Sequence, residues 1–219
     1  MSMMMYVYMA LCFLPVLILG IVLPLAVPGF KIRYALISVL VGLLSLIPIT
    51  FIQFFVFSLP IFTSGTLVSV LITAILFNGL IEEAAKMSLM FLLPRKTIAF
   101  PQFFSMAILA GLSLGAFETI IYLLSGSLNI GVRMVTAVLI HTFCAGLSGI
   151  FVWTLKNKPT KVYFFMLTVL LHGVYNFFAG FSGGYRWLSI VVILLAALQC
   201  RICYMQIALL HHSSYYHQQ

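Results

Sequence analysis

Apolar residues run through this chain in seven long blocks, each closed by a short cluster of proline, glycine, basic or small polar residues. The blocks lie at about Met5–Val27, Tyr34–Phe57, Thr66–Leu93, Phe100–Leu124, Val132–Leu155, Val162–Ala179 and Trp187–Leu210. Segments of about 18–28 residues, rising about 1.5 Å per residue as helices, match a hydrocarbon layer about 30 Å thick. The pattern predicts an all-α, polytopic transmembrane bundle of about seven spans. Pro24, Pro28 and Gly29 close the first block, Pro94-Arg95-Lys96 the third, and Gly180–Gly184 the sixth. No basic residue precedes the first block and no small-residue cleavage signature appears before Lys31, so it is expected to be a retained span. The chain shows no linker, low-complexity stretch or repeat, and residues 1–219 are expected to form a single integral membrane domain.

Polar residues inside the blocks interrupt this pattern. Asn78, Glu82 and Lys86 recur every fourth residue, which places them on one helical face, while Glu83 sits about 100° around from Glu82. His172 and Asn176 repeat the four-residue step in the sixth block. Gly111 and Gly115, four apart, would let a neighbouring helix backbone come close in the fourth block, which also carries Glu118. His141 lies in the fifth. Counted from the block ends, these side chains are expected to meet at one level of the bilayer.

Composition sharpens the picture. The chain is 64% hydrophobic and 6% charged, and its formal net charge is +8, with Glu82, Glu83 and Glu118 as the whole acidic complement and no aspartate. In such a chain basic residues report orientation rather than nucleic-acid binding. Lys31, Arg33, Arg95, Lys96, Lys156, Lys158 and Lys161 fall on one side and Arg133 and Arg186 on the other, so the N-terminus is expected outside and the C-terminus inside. Cys12, Cys144, Cys200 and Cys203 all lie in apolar blocks, which argues against a disulfide framework.

Each polar residue alone has a structural explanation. Lys86 can neutralise a glutamate on its own helix, reaching Glu82 at i, i+4 or Glu83 at i, i+3, and a lone histidine or asparagine can bond between helices. Together, three carboxylates, two imidazoles and a carboxamide offer a base for water, an acid for a leaving amine and donors for an oxyanion, which is what peptide hydrolysis requires. Without aspartate there is no aspartyl dyad, no H-E-x-x-H is present, and no G-x-S-x-G nucleophile setting is expected. Glu82, Glu118, His141 and His172 are of zinc-ligand type, but the expectation is a metal-independent hydrolase with no cofactor. A proton-coupled transporter or channel using the Glu/His set as a relay is the alternative from another class, although no repeated halves support it. An inert scaffold is the third, and the cost of burying these charges argues against it.

Glu82-Glu83-Ala84-Ala85-Lys86 resembles the E-E-x-x-K motif of the PrsW family of intramembrane proteases. Gly111–Glu118, with Tyr122 beyond, resembles the family's F-x-x-x-E element, His141 with Gly146 its third-region histidine, and His172–Phe177 its H-x-x-x-D/N element. Leu114 stands where that pattern has phenylalanine and Asn176 where it often has aspartate. The resembling core covers about 66–180. The wider superfamily includes type II CAAX prenyl proteases and bacteriocin-processing enzymes. The resemblance implies a glutamate-activated water, with Glu82 or Glu83 as base and the first of the two favoured, Glu118 and His141 in support, His172 and Asn176 as oxyanion donors, and Asn78 and Lys86 beside them. It also implies a multi-pass protein of a bacterial cytoplasmic membrane, cutting a membrane-anchored substrate such as an anti-sigma-factor-like regulator.

Overall fold

The computed structural model describes residues 3–57, 65–94, 97–126, 130–156 and 160–216. Among these residues seven helices follow one another: α1 (Met3–Ala26), α2 (Ile32–Phe57), α3 (Leu67–Met90), α4 (Phe100–Leu124), α5 (Ile130–Lys156), α6 (Tyr163–Ala179) and α7 (Leu188–Tyr216). A 3-10 turn, Gly183–Trp187, leads into α7, and no strand occurs among the described residues. Six of the helices are long and apolar enough to cross a membrane, and α6 is a shorter apolar helix. The all-α expectation of about seven spans therefore holds. Arg95, Lys96 and Lys158, which contribute to the expected orientation, lie outside the described residues.

Burial divides the helices sharply. In the most apolar window of α5, 83% of residues are buried, against 61% in α4 and 17% in α1. α5 is thus the central post, and α1 presents most of its surface outward as a lipid-facing helix does. Glycines explain why α4 lies so close to α5. A Cβ on Gly111 would stand 2.3 Å from the His141 carbonyl oxygen, and one on Gly115 would stand 2.8 Å from the Val138 Cα. The small-residue seam anticipated at Gly111 and Gly115 is therefore real, and it sets Glu118 beside His141. A second seam joins α3 to α6: a Cβ on Gly79 would meet the Val169 carbonyl oxygen at 2.7 Å, and one on Gly173 the Ile75 Cα at 2.5 Å.

Several buried hydroxyls are satisfied within their own helices, as a non-aqueous surrounding favours. Ser38, Ser45, Ser113, Thr119, Thr142 and Thr168 each donate to the carbonyl four residues earlier. One departure from regular helix stands out. Thr73–Gly79 forms a π-turn inside α3, and the Leu80 N–H bonds the Ile75 carbonyl five residues back. Such turns insert one residue and shift the helical phase, and they cluster at functional sites. This one ends three residues before Glu82. Cys200 and Cys203 pack as free thiols in the main core.

Candidate active site

Glu83 is the anchor of the polar cluster. Its side chain is 0% exposed, and its Oε1 accepts bonds from Lys86 Nζ, three residues on, and from His172 Nδ1 at 2.6 Å. Its Oε2 accepts from Ser148 Oγ at 3.1 Å. Lys86 therefore takes the i, i+3 partner. Helix geometry alone permits either glutamate, but Ser148 of α5 and His172 of α6 complete the shell around Glu83.

Glu82, on the adjoining face, is held more lightly. Its Oε1 accepts a bond from Gln53 Nε2 of α2 at 2.9 Å, and its Oε2 lies 3.3 Å from His172 Nε2. His172 is thus bracketed by both glutamates of α3. A carboxylate can only accept, so the Nδ1–H of a neutral His172 points to Glu83, leaving a lone pair on Nε2 that faces Glu82. Two acceptors facing each other at 3.3 Å call for a proton or a cation between them.

The second carboxylate–imidazole pair repeats the arrangement. His141 Nε2 donates to Glu118 Oε2 at 2.6 Å, and Arg133 donates to Glu118 Oε1 at 3.0 Å. The Arg133 guanidinium lies 3.6 Å from the centre of the Tyr122 ring, so Tyr122 supports the cation that supports Glu118. The Nδ1 of His141 is buried and has no partner among the described residues. The two imidazole rings meet edge to face with centroids 4.7 Å apart, which joins both pairs into one site.

The expected convergence of Glu82, Glu83, Glu118, His141 and His172 is thus present in space. Asn78 and Asn176 are placed differently. Both are half-buried and line a cavity of about 230 Å³ between α3 and α6, together with Thr73, Phe177 and Phe181. Glu82 bonds Gln53 rather than Asn78. His172 has both ring nitrogens directed at carboxylates, so Asn176 is the free donor of that pair.

The letters G-x-S-x-G do occur, as Gly111-Leu112-Ser113-Leu114-Gly115. They lie in the middle of α4, where Ser113 is 0% exposed and donates to the Leu109 carbonyl at 2.7 Å. A nucleophile elbow requires a strained strand-to-helix turn that presents the hydroxyl, and a mid-helix serine cannot supply it.

Three site residues escaped the sequence reading. Gln53 and Ser148 are single polar residues in apolar runs, and their isolation was the only available signal. Arg133 was read as an orientation charge, although it lies only eight residues before His141 on α5.

The donor set fits a divalent cation. Glu82, His141 and His172 each offer one ligand atom, and these atoms lie within 4.8 Å of one another. Two imidazoles and one carboxylate form a known three-ligand zinc set, and each histidine is held by a second carboxylate, as metal-bound histidines usually are. Charge points the same way: among the described residues the lysines and arginines paired with the three carboxylates are Lys86 and Arg133, and an unbalanced negative charge at membrane depth attracts a proton or a cation. Glu83, Cys144 and His172 form another group of similar spacing, but the Lys86 ammonium on Glu83 would repel a cation there.

Comparison with curated proteins and with solved structures finds no match. Comparison with protein families finds a match across residues 31–199, which takes in every side chain of the polar cluster. The chain belongs to the PrsW family of intramembrane metalloproteases.

Proposed function

We propose that this protein is an endopeptidase that hydrolyses a peptide bond of a membrane-anchored protein, with water activated at Glu82. The observation that carries this reading is the bracketing of His172: Glu83 holds Nδ1 at 2.6 Å, and Nε2 faces the lightly held Glu82 at 3.3 Å. Water bonded between Glu82 and His172 loses a proton to the Glu82 carboxylate as its oxygen attacks the scissile carbonyl carbon. The Asn176 carboxamide, one turn beyond His172, donates to the carbonyl oxygen as it gains charge. As the C–N bond breaks, the proton held by Glu82 passes to the leaving amine and the carboxylate is restored. Glu83, fixed by Lys86 and Ser148, keeps the His172 ring oriented throughout. Glu118 does the same for His141.

Glu82, His141 and His172 would hold a divalent cation, which when bound lowers the pKa of its water and polarises the carbonyl. This departs from the metal-free expectation. That expectation rested on the absence of a linear H-E-x-x-H, whereas these donors come from α3, α5 and α6. In the same reading the substrate is a single-span regulator, such as an anti-sigma-factor-like protein of a bacterial cytoplasmic membrane, and the N-terminus lies outside.

The test uses purified protein in liposomes against a panel of single-span peptides, read by mass spectrometry alongside elemental analysis. The expected result is one defined product and about one equivalent of bound zinc or a related metal. Chelation should abolish cleavage, and metal addition should restore it. Absence of cleavage together with proton flux across the vesicles would favour the relay reading instead. Cleavage unaffected by chelation in metal-free protein would return the chemistry to Glu82 alone.

A further inference from the structure

We propose that the cavity between the π-turn of α3 and α6 receives an unwound stretch of substrate, with the Asn78 carboxamide bonding its backbone beside the scissile bond. This rests on the peptidase reading above. A transmembrane substrate satisfies its backbone within its own helix, and no peptide bond can be attacked until several of those bonds are released. Each N–H and C=O freed at membrane depth then costs several kcal/mol unless it finds a new partner. A carboxamide has one acceptor and two donors, the complement of a peptide unit.

The cavity presents two such groups. Asn78 and Asn176 line it from opposite helices, and neither carboxamide is hydrogen-bonded to another described residue. Polar side chains left without protein partners at this depth are unusual, since interhelical bonding normally consumes them. Thr73 adds a hydroxyl to the wall, while Phe177 and Phe181, whose rings meet edge to face at 5.0 Å, supply an apolar side. The wall is stiff because Gly79 and Gly173 bring the backbones of α3 and α6 into direct contact. Asn78 precedes Glu82 by four residues, about 6 Å along a helix axis, so a backbone group bonded there lies within a residue or two of the bond under attack. Asn78 lies in the π-turn and lines the cavity, while Glu82 and Glu83 lie in the buried cluster that begins one turn further on. The site thus reads substrate backbone rather than side chains, and it favours segments whose helix opens easily at the cut.

The experiment is a double-mutant cycle between protein and substrate backbone. Single-span peptides carry one ester in place of an amide at each of four positions flanking the cut, and kcat/KM is measured for wild type and Asn78→Leu in liposomes. Cleavage of the all-amide peptide by wild type checks the peptidase reading by itself. One ester position should lower kcat/KM about tenfold in wild type, the size of one hydrogen bond. Asn78→Leu should be about tenfold slower on the all-amide peptide and lose almost nothing more at that position. Full activity in Asn78→Leu, or independent losses at every ester position, would overturn the proposal.

A second arm needs neither turnover nor the Asn78 variant. A photo-crosslinking benzoyl-phenylalanine at Phe181 in the Glu82→Gln background should label bound substrate. The same group at Leu36, 66% exposed on the outward face of α2, should not. Absence of labelling at Phe181 while wild type cleaves would reject the cavity as the binding site. Labelling at Phe181 with no cleavage by wild type would retain the peptide site and reject the peptidase reading.

Discussion

Glu82 and Glu83 are adjacent in the chain, yet they sit in unlike surroundings. Glu83 receives an ammonium, an imidazole and a hydroxyl from three helices and is wholly buried. Glu82 receives one neutral carboxamide and faces an imidazole nitrogen across 3.3 Å. Both carboxylates are equally basic in isolation, so the difference is imposed by neighbours. A carboxylate whose lone pairs are all engaged with charged or strong donors is a structural counter-ion. One with an open acceptor position beside a histidine can accept a proton from water. The comparison assigns the two glutamates different work, and substitution can separate them.

The largest effect is expected at Glu82. Glu82→Gln keeps the bond from Gln53 available through its amide oxygen but can no longer take a proton, so cleavage should fall by about two to four orders of magnitude. Detergent-solubilised yield and elution profile should match wild type. An active Glu82→Gln beside a folded but inactive Glu83→Gln would exchange the two roles.

Glu83→Gln should act on folding. It leaves Lys86, 1% exposed, as an uncompensated buried charge, and breaking a buried pair in this way costs about 3–5 kcal/mol. Folded yield and thermal midpoint should both drop, and Glu83→Gln with Lys86→Met should recover part of the loss. If the double variant is no better than the single one, the Glu83–Lys86 pair is not what holds this turn of α3 in place.

The smallest effects sharpen the contrast. Gln53→Leu removes one neutral donor from Glu82 and should change kcat by a few fold, equivalent to about 1 kcal/mol, with the thermal midpoint unmoved. Ser148→Ala removes the corresponding donor from Glu83 and should lower the midpoint by a few degrees while leaving kcat near wild type. Reversed outcomes for this pair would show that Glu83, not Glu82, is the carboxylate engaged in chemistry.

Much of the fold was readable from local pattern. Span number and position follow from run length, because a bilayer imposes a minimum apolar length on any helix crossing it. The glycine seam at Gly111 and Gly115 was also visible, since small residues four apart share one helix face whatever the fold. Glu82, Glu83, Glu118, His141 and His172 drew notice because ionisable groups in hydrocarbon are costly, and that cost is a property of residue type and depth alone.

Other features could not be read locally. Lys86 reaches Glu82 or Glu83 with similar ease on an isolated helix, and the choice fell to Glu83 only where α5 brings Ser148 and α6 brings His172 to the same carboxylate. Gln53 acquired a role because α2 sets it against Glu82, and Arg133 because the close approach of α4 and α5 puts Glu118 within its reach. The π-turn of α3 could not be read from spacing either, nor that Asn78, which lies in it, lines a cavity with Asn176. Sequence by itself determined which side chains are too polar for their surroundings, since hydrophobicity and helical period belong to the segment. Tertiary structure decided which of them meet, because partner choice depends on helix separation and phase, and those are set by backbone contacts between residues distant in the chain.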